Sequence, residues 1–390
     1  MLAALLQVHT TGKSFQDQLE TIASRVLEQY ESDPRRTHVS LYNLLYRSVG
    51  STSLLDEDTL DLEQMSEDEW STLVTQVVEE MTTAPELLLQ DKPSTRAYRP
   101  VYVAFWRTLA RVCLEGSRLQ IEVVRDLLAR LADMVSVGQP DLREAATLVV
   151  FAMGHAVLER TQVLKDKVQV AQRQYQAAQK SQKVKAASLK DQLEGWKRTL
   201  KDLEDLVESQ ILAGVFSQRY RDSTPQIRAT SLDALSDMIA LRPDLLVKGT
   251  YLKYFGWMLS DKQPLVRYSA VVGLLEAFRV AKEGSMSLVI QKFATRLADC
   301  VLDKDVTVQE KSMELLLELA RGTMLDFLED DSVWEQINLR ALDPDTSPQV
   351  RKDALLFLLE QLEAFDQSTV TNMETHDVAK MESLVDWCVG

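Results

Sequence analysis

The chain has 390 residues, a net charge of −15 and a pI near 4.9, which argue against a surface built throughout for nucleic acid and leave that role to a local basic face. Hydrophobic residues make up 45 %, ample for a core, while 13 Gly and 10 Pro are too few for a hairpin-rich chain. Three distant cysteines, Cys113, Cys300 and Cys388, suit a reducing compartment rather than a disulfide framework, no apolar run reaches the roughly 18 residues of a membrane span, and the opening Met1-Leu-Ala-Ala-Leu-Leu6 lacks the basic start of a signal peptide.

Phe15, Leu19, Ile22, Val26 and Tyr30 share one helical face, with Ser14 placed to cap the helix and Asp17 three residues on. Asp33-Pro34 interrupts, and a second helix is predicted from Val39 to Val49. Ser48 to Asp91 carries no Lys or Arg, and Asp56, Glu57, Asp58, Asp61, Glu63, Glu67, Asp68 and Glu69 crowd its first half. That stretch is either a solvated loop and acidic helix face or a docking surface for a basic partner. Asp91-Lys-Pro-Ser94 reads as a linker. Tyr98 to Cys113 is an aromatic-rich helix whose Tyr102, Phe105, Trp106 and Leu109 suit a core. Leu119–Val135 and Leu142–Leu158 follow, parted by Gly138-Gln-Pro140.

His155 to Leu212 contains no Pro and one Gly, and Ala156 to Lys201 holds eleven Lys/Arg against four Asp/Glu. Two long helices turning near Lys180–Ser188 are predicted to project as a hairpin. Its seam would pair Val163, Val168 and Val170 with Leu189, Leu193, Trp196, Leu200 and Leu203.

A phrase then recurs. Asp222, Asp261, Asp303 and Asp345 start it, 39, 42 and 42 residues apart. Five residues on stands a β-branched aliphatic (Ile227, Val266, Val308, Val350), followed by Arg228, Arg267, Gln309 or Arg351. Leu232, Val271, Met313 and Leu355 come five after the aliphatic, and Leu235, Leu274, Leu316 and Leu358 eight after it. The Asp and following Pro or polar residues start a helix, and the aliphatics share its face. Apolar helices at Tyr251–Leu259, Leu288–Leu302 and Val333–Leu342 fill the intervals, and a last helix is predicted at Val378–Val389. Four copies at this period predict an all-α, HEAT-type α-solenoid, in which stacked helix pairs bury a continuous core. The expected divisions are an N-terminal helical region (1–158), the projecting hairpin (159–212) and HEAT-like repeats (213–390). The chain stops just after an apolar stretch without a polar capping repeat, as a piece of a longer solenoid would.

Catalytic patterns are missing from the sequence. Thr11-Gly12-Lys13-Ser14 lacks the earlier Gly of a phosphate loop, with Gln7 in its place. His9, His38, His155 and His376 have no partner at metal spacing, and Cys113 and Cys300 lie in apolar helices without a nearby base. We therefore expect no enzyme, no metal, no cofactor and no small-molecule substrate, although an unrecognised enzymatic site stays open. Two binding surfaces stand out. Tyr251-Leu-Lys-Tyr-Phe-Gly-Trp257 is either entirely core, or, with Lys292 and Phe293 of the next repeat, forms an aromatic pocket ringed by charge. Lys180, Lys183, Lys185, Lys190, Lys197, Arg198 and Lys201 on the hairpin are either a solvated helical surface or phosphate contacts.

Arg219-Tyr-Arg-Asp222, Ile227-Arg-Ala229, Tyr251-Leu-Lys-Tyr254, Gly256-Trp257, Asp261-Lys-Gln263 and Val266-Arg267 together resemble the conservative region of the stromalin (SA/STAG) family, the HEAT-repeat subunits of cohesin. The region spans 214–300. Gly12-Lys-Ser14, Arg173-Gln-Tyr175 and Leu302-Asp-Lys304 fit as well; the likeness is patchy before Tyr98 and weak after Asp345. It implies a truncated chain, since family members are about three times as long. It implies attachment to the kleisin subunit of the cohesin ring, with much of that interface beyond Gly390, engagement of double-stranded DNA, and a nuclear, chromosomal location. It also implies recruitment of loading, release and protective factors through short Tyr/Phe-x-Phe motifs. The matching peptide-binding positions are Tyr220, Tyr254, Trp257 and Phe293, with Lys292 in place of the family's arginine, which keeps the charge and loses bidentate geometry. The competing expectation within the same fold is a transport or trafficking adaptor that never meets DNA.

Overall fold

In a computed structural model, the structure describes residues 1–8, 14–58, 60–62, 64–80, 97–116, 118–179, 183–282, 284–322 and 337–369. Every regular element among them is helical. No helix there is long and apolar enough to cross a membrane. The expected linker at 91–94, the helix tip around Lys180, most of the Val333–Leu342 helix and the Val378–Val389 helix lie outside the described residues. Two compact units, Met1–Ala234 and Leu235–Gly390, divide the chain inside a helix.

In the first unit, α1 (Leu2–Leu6) and α2 (Ser14–Ser32) pack against α5 (Tyr98–Glu115). Ser14 is the first helical residue, and its hydroxyl accepts from Gln18 at 3.1 Å. Helix α3 (Pro34–Ser48) starts five residues earlier than the sequence predicts. The Asp33 carboxylate accepts the Arg36 amide at 3.0 Å, and Pro34 occupies the first turn, where its missing N–H costs nothing. The dipeptide that ends one helix is thus the start signal of the next. In α5, Tyr102, Phe105, Trp106 and Leu109 are buried, as expected.

Helix α4 (Glu67–Glu79) opens on a capping box: Ser66 accepts the Glu69 amide, and the Glu69 carboxylate accepts from the Ser66 amide at 2.9 Å. Trp70 anchors it to α6 (Arg118–Met134), donating from its indole to the Arg130 carbonyl at 3.1 Å. The acidic loop before α4 is held partly by Arg35, which donates to the Asp58 and Leu60 carbonyls at 2.8 and 2.7 Å.

Helix α7 runs unbroken for 39 residues, Pro140–Ala178. Its first half is buried against α5 and α6, and its second half pairs with α8 (Lys183–Leu206). The hairpin seam keeps the expected Leu193 and Leu203 of α8, both buried, and differs on the α7 arm. Val163 and Val170 are exposed, whereas Leu164, Ala171 and Ala178 are buried at seven-residue spacing, facing Ala186 and Leu193 of α8. Heptad spacing is the geometry of a coiled-coil seam, and the small alanines let the two helices approach. The chain leaves α8 through a π-helical segment, Val207–Phe216, which buries Val207, Ile211, Leu212, Val215 and Phe216. Wider winding turns these apolar residues inward without a break between hairpin and repeats.

The repeat phrase has a structural cause at each position. In α9 (Pro225–Leu241), α11 (Pro264–Val280) and α13 (Val306–Arg321) the aliphatics at five, ten and thirteen residues after the Asp are all fully buried. The Asp carboxylate closes the preceding turn on the amide two residues ahead: Asp222 on Thr224 at 2.8 Å, Asp261 on Gln263 at 2.9 Å, Asp303 on Asp305 at 2.9 Å. The residue six after the Asp donates back to that Asp's own carbonyl: Arg228 and Arg267 at 2.8 Å each, and Gln309 in the third copy. Gln substitutes for Arg there because only a side-chain N–H is required. The fourth copy departs. Asp343, not Asp345, makes the turn, on the Asp345 amide at 3.0 Å, and in α14 (Pro348–Thr369) Leu355 is 49 % exposed while Ala354 and Phe357 are buried. The turn moves by two residues, but Val350 and Leu358 stay buried as expected, so only the middle aliphatic, Leu355, leaves the core.

In the second unit α10 (Gly249–Met258) packs on α11 and on α12 (Ser287–Val301), and α13 on α11, α12 and α14. Two glycines set the spacing. A Cβ on Gly273 would lie 2.1 Å from the ring of Phe255, and one on Gly256 would lie 2.2 Å from the ring of Phe293. Each aromatic ring therefore rests directly on a neighbouring helix backbone.

Candidate docking site and nucleic-acid interface

The aromatic candidates of the second unit come together on α10 and α12. Trp257 is 42 % exposed and Tyr254 half-buried, and their rings meet edge to face with centroids 5.4 Å apart. The ammonium of Lys253 stands over both, 5.1 Å from the Tyr254 centroid and 5.3 Å from that of Trp257. Phe293 lies half-buried against Gly256, and Lys292 Nζ is 5.6 Å from its ring. Leu252 and Phe255 point the other way, into the core. The helix thus divides its aromatics between a buried face and an open one. Tyr220 belongs to the first unit, where its ring stacks on Phe216 at 5.8 Å.

Two further cations accompany this patch: Lys253, inside the stretch singled out from the sequence, and Arg296, which the sequence candidates did not include. Lys253 was legible as the residue four before Trp257, on the same helical face. Arg296 is four after Lys292; it donates to Ser260 Oγ at 2.7 Å and pairs with Asp299 at 2.9 Å. Lys253 thus stands over the exposed Trp257, Lys292 over Phe293, and Arg296 at Ser260, three residues beyond Trp257.

Gly256 is the fulcrum. Gly256→Ala drives a methyl group into the Phe293 ring, and we expect about 1–3 kcal/mol of destabilisation from overpacking, read as a lower urea midpoint. An unchanged midpoint would mean that Phe293 swings aside freely.

Four of the hairpin candidates are described, and all four are exposed. Lys190, Lys197, Arg198 and Lys201 lie on the outer surface of α8, Lys190 3.8 Å from Glu194 and Lys197 donating to Gln172 on α7 at 3.2 Å. Lys180 and the side chains of Lys183 and Lys185 are outside the described residues.

Elsewhere the charged groups serve the architecture. Asp222 and Arg143 are both buried, and the guanidinium forks onto the carboxylate at 2.8 and 2.9 Å while Arg219 adds a third bond at 2.6 Å. Arg267 forks onto Asp303 at 2.6 Å twice, the same rung between successive turns of the second unit. Cys113 and Cys300 are buried, and burial pushes their thiols up to about 12 and about 11, far from a reactive thiolate. No group of three or more His, Cys, Asp or Glu among the described residues could hold a metal ion.

Comparison with known proteins places these features. The stromalin conservative domain matches residues 221–297, which hold the first two repeat turns and the aromatic patch, and the STAG domain matches residues 86–195, which hold α5–α7 and most of the hairpin. The chain carries both domains of the stromalin family. Among curated relatives, sister-chromatid cohesion protein 3 of Arabidopsis thaliana is 26 % identical over 311 residues, covering 77 % of this chain and 27 % of its own. Cohesin subunit psc3 of Schizosaccharomyces pombe is 25 % identical over 277 residues (65 % of this chain, 28 % of the relative). Human cohesin subunit SA-3 is 23 % identical over 315 residues (80 % and 26 %). The chain thus spans about a quarter of those relatives. The solved cohesin subunit Scc3 of Z. rouxii superposes with a TM-score of 0.81 at 19 % identity, covering 94 % of this chain and 43 % of that one, and establishes the shared solenoid fold.

Proposed function

We propose that this chain is a non-catalytic scaffold of a cohesin complex, acting on chromosomes in the nucleus. It attaches to the kleisin, engages DNA through the hairpin, and takes short aromatic motifs of loading, release and protective factors. The observation that carries this reading is the open face of α10 and α12. Trp257, Tyr254 and Phe293 form an aromatic platform rimmed by Lys253, Lys292 and Arg296, inside the segment that matches the stromalin conservative domain. Trp and Tyr are preferred anchors for peptides because they offer area with little entropy loss. Tyr220 is the remaining member of the proposed peptide site. Capture of a cohesin kleisin by the chain, from purified components, tests the attachment.

The hairpin part has its own test. Reversing Lys190, Lys197, Arg198 and Lys201 to Glu should weaken duplex binding more than tenfold at low salt. It should also flatten the salt dependence by roughly three to four in log–log slope, about 0.9 per lost phosphate contact. Unaltered affinity would move the contact off the hairpin. Absence of salt-sensitive binding in the unmodified chain would favour the transport-adaptor reading.

A further inference from the structure

A further copy of the repeat phrase is hidden in the first unit, and Val137 is its start. Arg143, six residues on, donates to the Val137 and Gly138 carbonyls at 2.9 and 3.1 Å. Arg228 does the same to Asp222 and Ser223 at 2.8 and 3.3 Å. Arg143 also forks onto Asp222, the start of the next copy, as Arg267 forks onto Asp303. Pro140 opens α7 three residues after the start, the place of Pro225 in α9 and Pro264 in α11. Leu142 and Val150, five and thirteen after the start, are buried like Ile227 and Leu235. At ten stands Thr147, also buried, its hydroxyl donating to the Arg143 carbonyl at 2.7 Å. Val in place of Asp at the start, and Thr in place of an aliphatic at ten, hide this copy from spacing alone.

The hidden copy is too long. Val137 and Asp222 are 85 residues apart, against 39 from Asp222 to Asp261 and 42 from Asp261 to Asp303, so the surplus is 43–46 residues. The corresponding helices of the next two copies, α9 and α11, have 17 residues each, whereas α7 has 39. The first 17 residues of α7 end at Ala156. The surplus is therefore the second half of α7 together with α8 as far as about residue 202. It has a seam of its own, Leu164, Ala171 and Ala178 against Ala186 and Leu193. It also stands off from the rest of the unit: a cavity of about 800 Å³ opens between Glu122 and Arg125 of α6 and Trp196, Arg198 and Asp202 of α8. The chain re-enters the repeats through the π-helical segment Val207–Phe216. A helix pair inserted into a repeat returns the chain at an arbitrary helical phase, and a wider-wound segment resets it.

We propose that the hairpin is an arm inserted into one solenoid repeat, that the repeats fold without it, and that it carries the duplex contact as a separable module. The last part rests on the reading that the hairpin engages DNA; the first two do not. Each repeat of a solenoid is held by its neighbours. Here the holding contacts are the Arg143–Asp222 fork and the packing of the first half of α7 on α5 and α6, and all of them lie outside the arm. Insertions into repeats project from one face, often the binding face. Outside its seam the arm exposes Lys190, Lys197, Arg198 and Lys201.

The test shortens the arm in the whole chain. Residues 169–200 are replaced by a Gly/Ser linker of about five residues, a usual length for antiparallel helices. A second variant, Glu194→Pro, breaks α8 inside the arm without removing anything. Amide hydrogen exchange read by mass spectrometry should show α6, the first half of α7 and α9 protected as in the parent in both variants, with protection lost only within the arm. Duplex affinity of the shortened chain at low salt should fall more than tenfold. Loss of protection in α6 or α9 in Glu194→Pro makes the hairpin integral to the repeats and overturns the insertion. That variant decides the matter even where the shortened chain does not fold. Undiminished duplex binding by a folded, shortened chain overturns the module assignment and, with it, the DNA reading of the hairpin. The two failures are therefore told apart by exchange on one side and duplex affinity on the other.

Discussion

Asp222→Ala should cost the first unit about 3–5 kcal/mol, the penalty for stranding a buried charge. Arg143 and Arg219 both lean on this carboxylate, and Arg143 also donates to the Val137 and Gly138 carbonyls at 2.9 and 3.1 Å, so it cannot turn out to water without breaking the turn before α7. Urea unfolding followed by tryptophan fluorescence should show the transition of this unit displaced by one to two molar, taking about 2–3 kcal/mol per molar as the slope. A midpoint within error of the parent would dissolve the claim that the Arg143–Asp222 fork locks the entrance to the repeats. Arg143→Met with Asp222→Leu should be milder than Asp222→Ala, because it strands only the guanidinium of Arg219 instead of two. The pH dependence has a definite sign. Burial raises the Asp222 carboxyl, but the Arg143 fork, the Thr224 amide and the Arg219 charge together hold it below its usual value. A carboxyl depressed in the folded state stabilises fully above its unfolded pKa of about 3.9 and stops doing so as pH falls through the lower folded value. The parent should therefore lose this contribution only in strong acid, and Asp222→Ala should remove that part of its acid sensitivity.

The repeats were legible because their physics is local and periodic. A turn-closing Asp, a donor six residues on and aliphatics at five, ten and thirteen leave a mark in the string that needs no partner to interpret. The turn of the fourth copy was misread for the same reason. Asp345 satisfies the spacing, yet Asp343 closes the turn, since Asp343-Pro-Asp345 offers two carboxylates and the backbone takes the earlier one. The hairpin was legible as two helices but not in phase. Val163 and Val170 are the bulky residues, but Ala171 and Ala178 are what a close pair of helices buries, and alanine is a weak signal of burial. The π-helical segment left no mark, because its apolar residues suit an α-helix equally well.

Of the candidate surfaces, the string identified the aromatics without deciding which way they faced. Tyr254, Phe255 and Trp257 are alike in composition. What separates them is Gly273, which admits the Phe255 ring into the core, and Gly256, which draws Phe293 alongside and leaves Trp257 outside. Long-range packing of that kind is invisible to spacing.

Trp257→Ala should abolish capture of a peptide bearing a Tyr/Phe-x-Phe motif while sparing the fold. At 42 % exposure the indole contributes little to the core, so helical content and urea midpoint should stay near the parent values. An anchor of this type is worth at least about 2 kcal/mol, so the Kd should rise about 30-fold or more. Phe255→Ala, two residues away, should behave in the opposite manner. Its ring is wholly buried against Gly273, and losing it should destabilise the second unit by about 3–5 kcal/mol. The contrast between neighbours on one helix is what makes the pair informative. If Trp257→Ala binds the peptide as the parent does, the motif docks elsewhere. If it unfolds like Phe255→Ala, the indole is a core residue whose exposed edge misled us, and the open face of α10 is not a docking surface at all.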